Sequence, residues 1–364
     1  MDKIFLIDTN TITYNQLIHY VNGNDSESYT DMELFFLNTI KGLVIGKIKD
    51  IDDLIKNMYQ TNQSIQLYTS GTTGEPKIVY QSFKNMVRNI KVSENRIDDV
   101  WGLFYHPTKM AGYQVLFQAL LNKNTLVNMF RYEYSDVQNR LNQFGVTHMS
   151  ATPTLYKMIV SDDITFDSVQ RITFGGEGST EKFQTQIQKY FPNAKMKNIY
   201  ASTEAGSIFA SDGDLFKIPN EFENLIKIEN NEIWIHKNIV GESNFIKFDG
   251  DWYNSGDLVE FVDEYRFKII GRSSNIVKIA GYSVNLESVE QKIQKMDFVN
   301  MCRVYAEQNS VLGNILVCEL VQIGELNIKD VKQLFKENLE KYEIPSKIRF
   351  VKSIEINENG KIKR

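Results

Sequence analysis

From Ile4 to about Asp212, strand-like and helix-like stretches alternate, and that alternation limits the fold more than any other feature of the chain. Ile4–Ile7 reads as a strand and Tyr14–Val21 as a short helix. Glu33–Ile45 has helical periodicity, and Ile65–Thr69 is a strand running into a Gly-rich loop. Phe83–Asn95 and Met110–Leu121 read as helices. Thr147–Ser150 with Thr154–Val160, and Arg171–Phe174 with Thr180–Tyr190, read as strand–helix pairs. Beyond Asp212 the pattern shortens: Glu232–His236 and Asn244–Phe248 read as small strands. Past a boundary near Gly271–Ser274 come a helix at Leu286–Lys295, strands at Asn300–Glu307 and Ile315–Val321, and a helix at Ile328–Leu339. The expectation is an α/β chain: a large domain of layered sheets and helices over 1–271, and a small α+β domain over 272–364.

Composition removes several functions. The net charge is −5, with 41 basic against 46 acidic residues, so no global basic field exists to hold nucleic acid. Cys302 and Cys318 form neither a CxxC pair nor a zinc pattern, and the four histidines are scattered. No window resembles a membrane span or a secretory leader, which points to a cytoplasmic protein.

Five segments carry candidate chemistry. Tyr68-Thr69-Ser70-Gly71-Thr72-Thr73-Gly74-Glu75-Pro76-Lys77 follows a strand. Its glycines let several N–H groups converge on an anion, its hydroxyls add donors, and Lys77 adds a mobile charge for outer phosphates. The order is not GxxxxGK[ST], so this is no Walker loop, and an ordinary Gly/Thr turn remains the alternative. Tyr200-Ala201-Ser202-Thr203-Glu204-Ala205-Gly206 sets a hydroxyl beside a carboxylate. Thr203 suits a phosphate oxygen and Glu204 suits Mg2+, while a capped helix start explains the same residues. Trp252-Tyr253-Asn254-Ser255-Gly256-Asp257 offers a turn, or a carboxylate for a ribose diol. Gly271-Arg272 with Val277-Lys278-Ile279-Ala280-Gly281-Tyr282, and the closing Asn359-Gly360-Lys361-Ile362-Lys363-Arg364, complete the set.

In this order and spacing the five segments resemble the adenylate-forming enzyme family of acyl-CoA synthetases, aryl-acid ligases and peptide-synthetase adenylation domains. The resemblance covers Leu67 to Arg364, with weaker echoes at Ile12–Leu17 and Phe35–Gly42. It implies ATP and Mg2+ as cofactors, a small carboxylic acid as substrate, and CoA or the phosphopantetheine of a separate carrier protein as acyl acceptor. By the same resemblance, Thr69, Ser70, Gly71, Thr72, Thr73, Gly74 and Lys77 grip the β- and γ-phosphates. Gly175, Gly176, Glu177 and Gly178 line the adenine pocket and one wall of the acyl pocket. Tyr200 stacks on adenine, Ser202 borders the substrate, Thr203 contacts the α-phosphate and Glu204 binds Mg2+. Asp257 and Arg272 hold the ribose, and Lys361 bridges the substrate carboxylate and the α-phosphate. Rotation of the small domain then brings Gly281 to the thiol.

Two departures stand out. Relatives carry a large subdomain between the opening signature and the phosphate loop, where this chain has little, so the acyl-site wall is expected to be reduced or supplied by a partner. The family's acid or lysine at the hinge is Ser274 here. The acyl region, Phe104 to Tyr113, includes His106 and Tyr113 as candidate substrate contacts, with a structural histidine and plain core as alternatives. From Gly102 through Tyr132 there is no Asp or Glu to pair an α-ammonium, which points to an aryl or short acyl group rather than an amino acid. A degenerate adenylate-binding protein without ligase turnover and an amino-acid adenylation enzyme are the competing readings.

Overall fold

The computed structural model describes residues 3–24, 27–69, 77–161, 164–309, 313–357 and 360–363. The chain divides into two units: Met1–Glu177, Phe183–Asp212 and Lys237–Lys247 form the first, and Gly178–Lys182, Gly213–His236 and Phe248–Arg364 form the second.

In chain order the first unit carries β1 (Ile4–Ile7), β2 (Thr11–Thr13), α1 (Tyr14–Val21), α2 (Asp31–Gly42), α3 (Ile51–Gln60), β3 (Ser64–Thr69), β4 (Lys77–Ser82), α4 (Phe83–Val87), β5 (Val100–Leu103), α5 (Met110–Leu121), β6 (Thr125–Asn128), α6 (Tyr134–Gln143), β7 (His148–Ala151), α7 (Pro153–Ile159), β8 (Arg171–Gly175), most of α8 (Glu181–Gln188), β9 (Lys195–Ser202) and β10 (Gly206–Ser211). Eight strands form one sheet in the order β10-β9-β8-β7-β5-β6-β1-β2. The six inner strands are parallel, and β2 and β10 close the edges antiparallel. The winding reverses at β5: β6 lies on one side of it, and β7, β8 and β9 extend the other way. Short apolar strands suit a sheet covered on both faces. One core gathers Val127, Met149, Ile172 and Phe174 from the strands with Tyr156, Phe166 and Phe191 from the segments over them. The β3–β4 hairpin is a separate two-stranded sheet.

Local sequence explains the helix starts. Thr13 with Gln16, and Thr30 with Glu33, form reciprocal capping boxes on α1 and α2, and Asp50 accepts from the Asp53 N–H on α3. Helix α5 coincides with the predicted Met110–Leu121, apolar and buried around most of its circumference. The helix expected over Phe83–Asn95 stops at Val87, with only a 3-10 turn at Glu94–Arg96 beyond. Arg88 and Asn89 there turn their side chains to the carbonyls of Ala205, Ser207 and Ile208, a tertiary contact that overrides helical propensity. In place of the strand expected over Asn244–Phe248 there is only Phe248–Asp249; Glu242 and Ser243, just before that span, bond to β4.

The second unit carries β11 (Ile226–Glu229), β12 (Glu232–His236), β13 (Phe248–Asp249), β14 (Trp252–Phe261), β15 (Phe267–Arg272), β16 (Ile276–Ile279), β17 (Tyr282–Asn285), α9 (Leu286–Gln294), β18 (Val299–Asn309), β19 (Gly313–Gln322), α10 (Ile328–Asn338) and β20 (Lys347–Phe350). Strands β11 to β15 form an antiparallel sheet, and β18–β19–β20 form a mixed one in which β18–β19 is antiparallel and β19–β20 parallel. Helices α9 and α10 cover the latter, burying Val289, Ile293, Val331 and Phe335 against Val304, Leu316 and Leu320. No described helix is long and apolar enough to cross a membrane.

Candidate active site

In a parallel sheet, side chains that follow the carboxyl ends of the strands share one edge, and a ligand crevice opens where the winding reverses. Three of the sequence's candidate groups meet that condition. Phe104, Tyr105 and His106 follow β5; Gly175, Gly176 and Glu177 end and follow β8; Tyr200 and Ser202 end β9, with Thr203 and Glu204 in the turn after it. Strands β8 and β9 are hydrogen-bonded neighbours, with Gly175 opposite Ile199. Tyr105 is buried near Ser150 of β7, and its hydroxyl stands 3.1 Å from where a Cβ on Gly175 would be. Burial raises its phenol well above the ordinary tyrosine range, so it is protonated at neutral pH.

The Ser202–Gly206 segment is not a helix start. It is the turn of the β9–β10 hairpin, with the Ser202 hydroxyl accepting from the Ala205 N–H at 3.1 Å and Gly206 at φ +69°. The turn is pinned through its carbonyls. The fully buried Gln81 donates to the carbonyls of Thr203 at 3.2 Å and Glu204 at 2.5 Å, and the Gly241 N–H reaches the Glu204 carbonyl at 2.7 Å. Arg88 donates to the carbonyls of Ala205 and Ser207, and its burial lowers its pKa to about 10, leaving it charged. Tyr200 packs face to face with Phe209, centroids 4.9 Å apart, and is 7% exposed. Glu177 accepts from the N–H and hydroxyl of Thr154, at 3.3 and 2.7 Å.

Ser70 to Gly74 of the phosphate-loop motif lie outside the described residues. The strands on either side of them are paired, Thr69 opposite Lys77. Lys77 Nζ lies 5.1 Å from the centre of the Phe245 ring. His106 accepts at Nδ1 from the Thr108 N–H at 3.3 Å, which puts its own proton on Nε2, and its ring meets Phe130 edge-on. Tyr113 is buried between Phe35 and Phe117, with its hydroxyl on Thr39.

The second unit holds the other candidates. Asp257 is 6% exposed and accepts from Arg272 Nε at 3.0 Å across the β14–β15 pair. Gly271, at φ +138°, leaves no room for a side chain: an added Cβ would lie 2.5 Å from Asn285 Oδ1 and 2.7 Å from Glu287 Oε2. The same two residues bind the following turn, Glu287 through the Arg272 N–H and Asn275, and Asn285 through the Arg272 carbonyl. Ser274 sits in that 3-10 turn. Ala280 and Gly281 both have positive φ and make the two-residue turn between β16 and β17. Gly178 comes 3.5 Å, by its absent Cβ, from Gln291. Asn357 accepts the Lys361 N–H on its side chain and donates its own N–H to the Lys361 carbonyl.

Among the described residues no three His, Cys, Asp or Glu side chains gather as a metal cage. Mg2+ needs none, since it is held by one or two carboxylates together with phosphate oxygens, and the lone carboxylate of Glu204 in a pinned turn fits that use.

Sequence reasoning missed Gln81, Arg88, Gly241, Asn285 and Glu287. For Gln81 a signal existed: an amide at an inward strand position between Val79 and Phe83, both core.

The family model described as AMP-binding enzyme matches residues 58–224, and that of the AMP-binding enzyme C-terminal domain matches residues 288–361. A 2-succinylbenzoate–CoA ligase of Staphylococcus epidermidis is 23% identical, over 100% of this chain and 82% of its own length. A D-alanine–D-alanyl carrier protein ligase of Streptococcus agalactiae is 24% identical, over 84% of this chain and 72% of its own. Among solved structures, the o-succinylbenzoate CoA synthetase of Bacillus subtilis, in complex with its acyl-adenylate intermediate, has a TM-score of 0.73 at 18% identity, covering 99% of this chain and 94% of that one. With an α/β architecture and both family models matched in order, the chain belongs to the adenylate-forming enzyme superfamily.

Proposed function

We propose that this protein joins a small carboxylic acid to ATP, releasing pyrophosphate, and then passes the acyl group from the acyl-adenylate to the thiol of CoA or of a carrier-protein pantetheine, releasing AMP. The observation that carries this reading is the Thr203–Glu204 turn, held at the carboxyl end of β9 beside Gly175–Glu177 and bonded through Gln81 to the strand that leaves the phosphate loop. That linkage gives the α-phosphate and outer-phosphate contacts one rigid frame, as an in-line displacement at phosphorus requires.

In this reading the Thr69–Lys77 loop receives the β- and γ-phosphates, Tyr200 and Gly176–Glu177 border adenine, and Asp257, aligned by Arg272, accepts from the ribose hydroxyls. The Thr203 hydroxyl donates to the α-phosphate. Glu204 would hold Mg2+, which would supply charge neutralisation for the departing pyrophosphate. Lys361 offsets the repulsion between the acid's carboxylate and the α-phosphate. The thiol then attacks the mixed anhydride directly, so no protein nucleophile is required. Gly175, Gly178, Ser202, His106 and Tyr113 are proposed to border the acyl group, and Gly281 the pantetheine arm. Residues 272–364 are proposed as the mobile lid, supported by their own sheet and core.

Phe104, Tyr105, Met110 and Tyr113 are all buried, and the sequence from Gly102 through Tyr132 contains no Asp or Glu, which favours an aryl or short aliphatic acid. An uncompensated ammonium there costs more than the roughly 2–7 kcal/mol of a neutral polar group. Pyrophosphate release over a panel of aryl, aliphatic and amino acids tests both levels. Release with an aryl or short aliphatic acid is expected; fastest turnover of an α-amino acid overturns the substrate class, and no release with any acid overturns the ligase reading.

A further inference from the structure

We infer that Gln81 is a positioning residue for the Thr203–Glu204 turn, and that the segment from Val240 to Phe245 is a strap tying this turn to the phosphate loop. The inference rests on the proposed function, and it assigns a role to residues outside the five motifs.

The geometry is specific. Glu204 offers its backbone carbonyl to two donors, Gln81 Nε2 at 2.5 Å and the Gly241 N–H at 2.7 Å, so the carbonyl's orientation, and with it the departure of the side chain, is fixed from both sides. Gln81 is fully buried, and its amide also holds the Thr203 carbonyl. The amide's seat exists only because residue 241 is glycine: a Cβ there would come within 2.7 Å of Gln81 Nε2, 2.8 Å of its Cδ and 2.8 Å of the Tyr80 carbonyl. The strap then runs along β4. Tyr80 and Glu242 exchange both backbone hydrogen bonds, at 2.8 and 2.9 Å, the Ser243 hydroxyl donates to the Ile78 carbonyl, and Phe245 lies under Lys77. Strand β4 begins at Lys77, where the phosphate loop ends. One buried amide and six residues of strap therefore connect the group proposed for the outer phosphates to the pair proposed for the α-phosphate and Mg2+. A rigid link of this kind lets loop and turn meet one triphosphate in register, since catalytic constellations depend on the residues that lock their rotamers and backbone.

The side chain of Gln81 is matched in volume by methionine, which keeps the packing and removes both donors. Two readouts separate positioning from mere support. The first is amide hydrogen exchange of the nucleotide-free protein. Gln81→Met is expected to speed exchange at least tenfold in peptides spanning residues 203–206 and 240–242, with the rest of the sheet unchanged. The second is ATP affinity by calorimetry, with and without Mg2+, alongside pyrophosphate release. In Gln81→Met the Mg2+ concentration for half-maximal release is expected to rise about tenfold. Mg2+-dependent tightening of ATP binding should shrink, while binding without Mg2+ stays within twofold. Gly241→Ala should reproduce this pattern by pushing the amide from its seat, which covers the case in which Gln81→Met fails to fold. Wild-type exchange at 203–206 together with wild-type Mg2+ dependence in Gln81→Met overturns the inference and leaves the proposed function standing. Absence of Mg2+-dependent ATP binding in the wild-type protein overturns both.

Discussion

Glu204 gives its backbone carbonyl to Gln81 and Gly241, and among the described residues its carboxylate has no hydrogen-bond partner. Glu204→Ala is therefore expected to lower acyl-adenylate formation by more than a hundredfold, measured as ATP–pyrophosphate exchange at saturating Mg2+, with thermal stability little changed. Lys77→Ala should cost less, about tenfold, because a loop lysine shares its phosphate with backbone donors. A different residue sets acid stability. His148, buried beside Trp101 and 3.4 Å from Asp99, has its pKa lowered to about 4, first by burial and then by the charges of Arg171 and Arg96. The unfolded chain binds a proton that the folded one refuses, so stability is full above about pH 6.5 and falls as pH drops from there toward 4. Between pH 7 and pH 5 this one group should cost on the order of 2 kcal/mol. Urea unfolding at both values checks it, and His148→Gln should flatten the difference. Neither Gln81 nor His148 belongs to a motif. Both were legible only as polar residues at strand positions, since what they touch is set by residues more than twenty places away.

Among elements, those whose own residues decide them were readable. Helix α5 is apolar enough to be buried whatever surrounds it, and α1 and α2 carry reciprocal caps. Helix α3 was missed between the opening signature and the phosphate loop, although Asp50 caps it, because only Leu54 and Met58 of its ten residues are fully buried. Helix α4 was overdrawn: it ends at Val87, and the side chains of Arg88 and Asn89 just after it are committed to carbonyls that lie far along the chain. The turn after β15 is a similar case. Arg272 was read as assisting at the ribose and Ser274 as the hinge; the structure also fastens this turn through Glu287 and Asn285 at the start of α9, a connection no local pattern announces. Gly271→Ala should destabilise the protein by about 2–4 kcal/mol, from the strained φ together with the collision with both side chains. Chemical denaturation measures this, and Gly256→Ala, whose Cβ would meet only Ser273 Oγ at 3.2 Å, should cost less.

For the whole molecule, the α/β class and the order of the five motifs could be read from the sequence, because alternating periodicity and short phosphate-binding segments are local properties. The large sheet's strand order, and the return of residues 237–247 to the first unit, could not, because pairing partners are chosen by tertiary packing. The two chemical steps should separate by residue. Lys361→Ala is expected to slow adenylation by at least a hundredfold while thioester formation from supplied acyl-adenylate stays within a fewfold of wild type. Gly281→Val should show the reverse, since its place in a turn with positive φ and the proposed approach of the pantetheine arm both exclude a branched side chain. Equal loss of both half-reactions in Lys361→Ala would leave that lysine a structural role only.

The strap also bears on how the chain is made. Tyr80 and Gln81 leave the ribosome early, and the residues that receive them, Gly241 and Glu242, follow roughly 160 residues later, on the order of 8–30 s at about 5–20 residues per second. Strands β5 to β10, six of the ten strands of the first unit, are synthesised in that interval, yet the Tyr80 N–H and carbonyl lack their native partners until it ends. Until then β4 presents an open edge, so the nascent chain passes through a period in which its phosphate-loop hairpin can pair with the wrong strand.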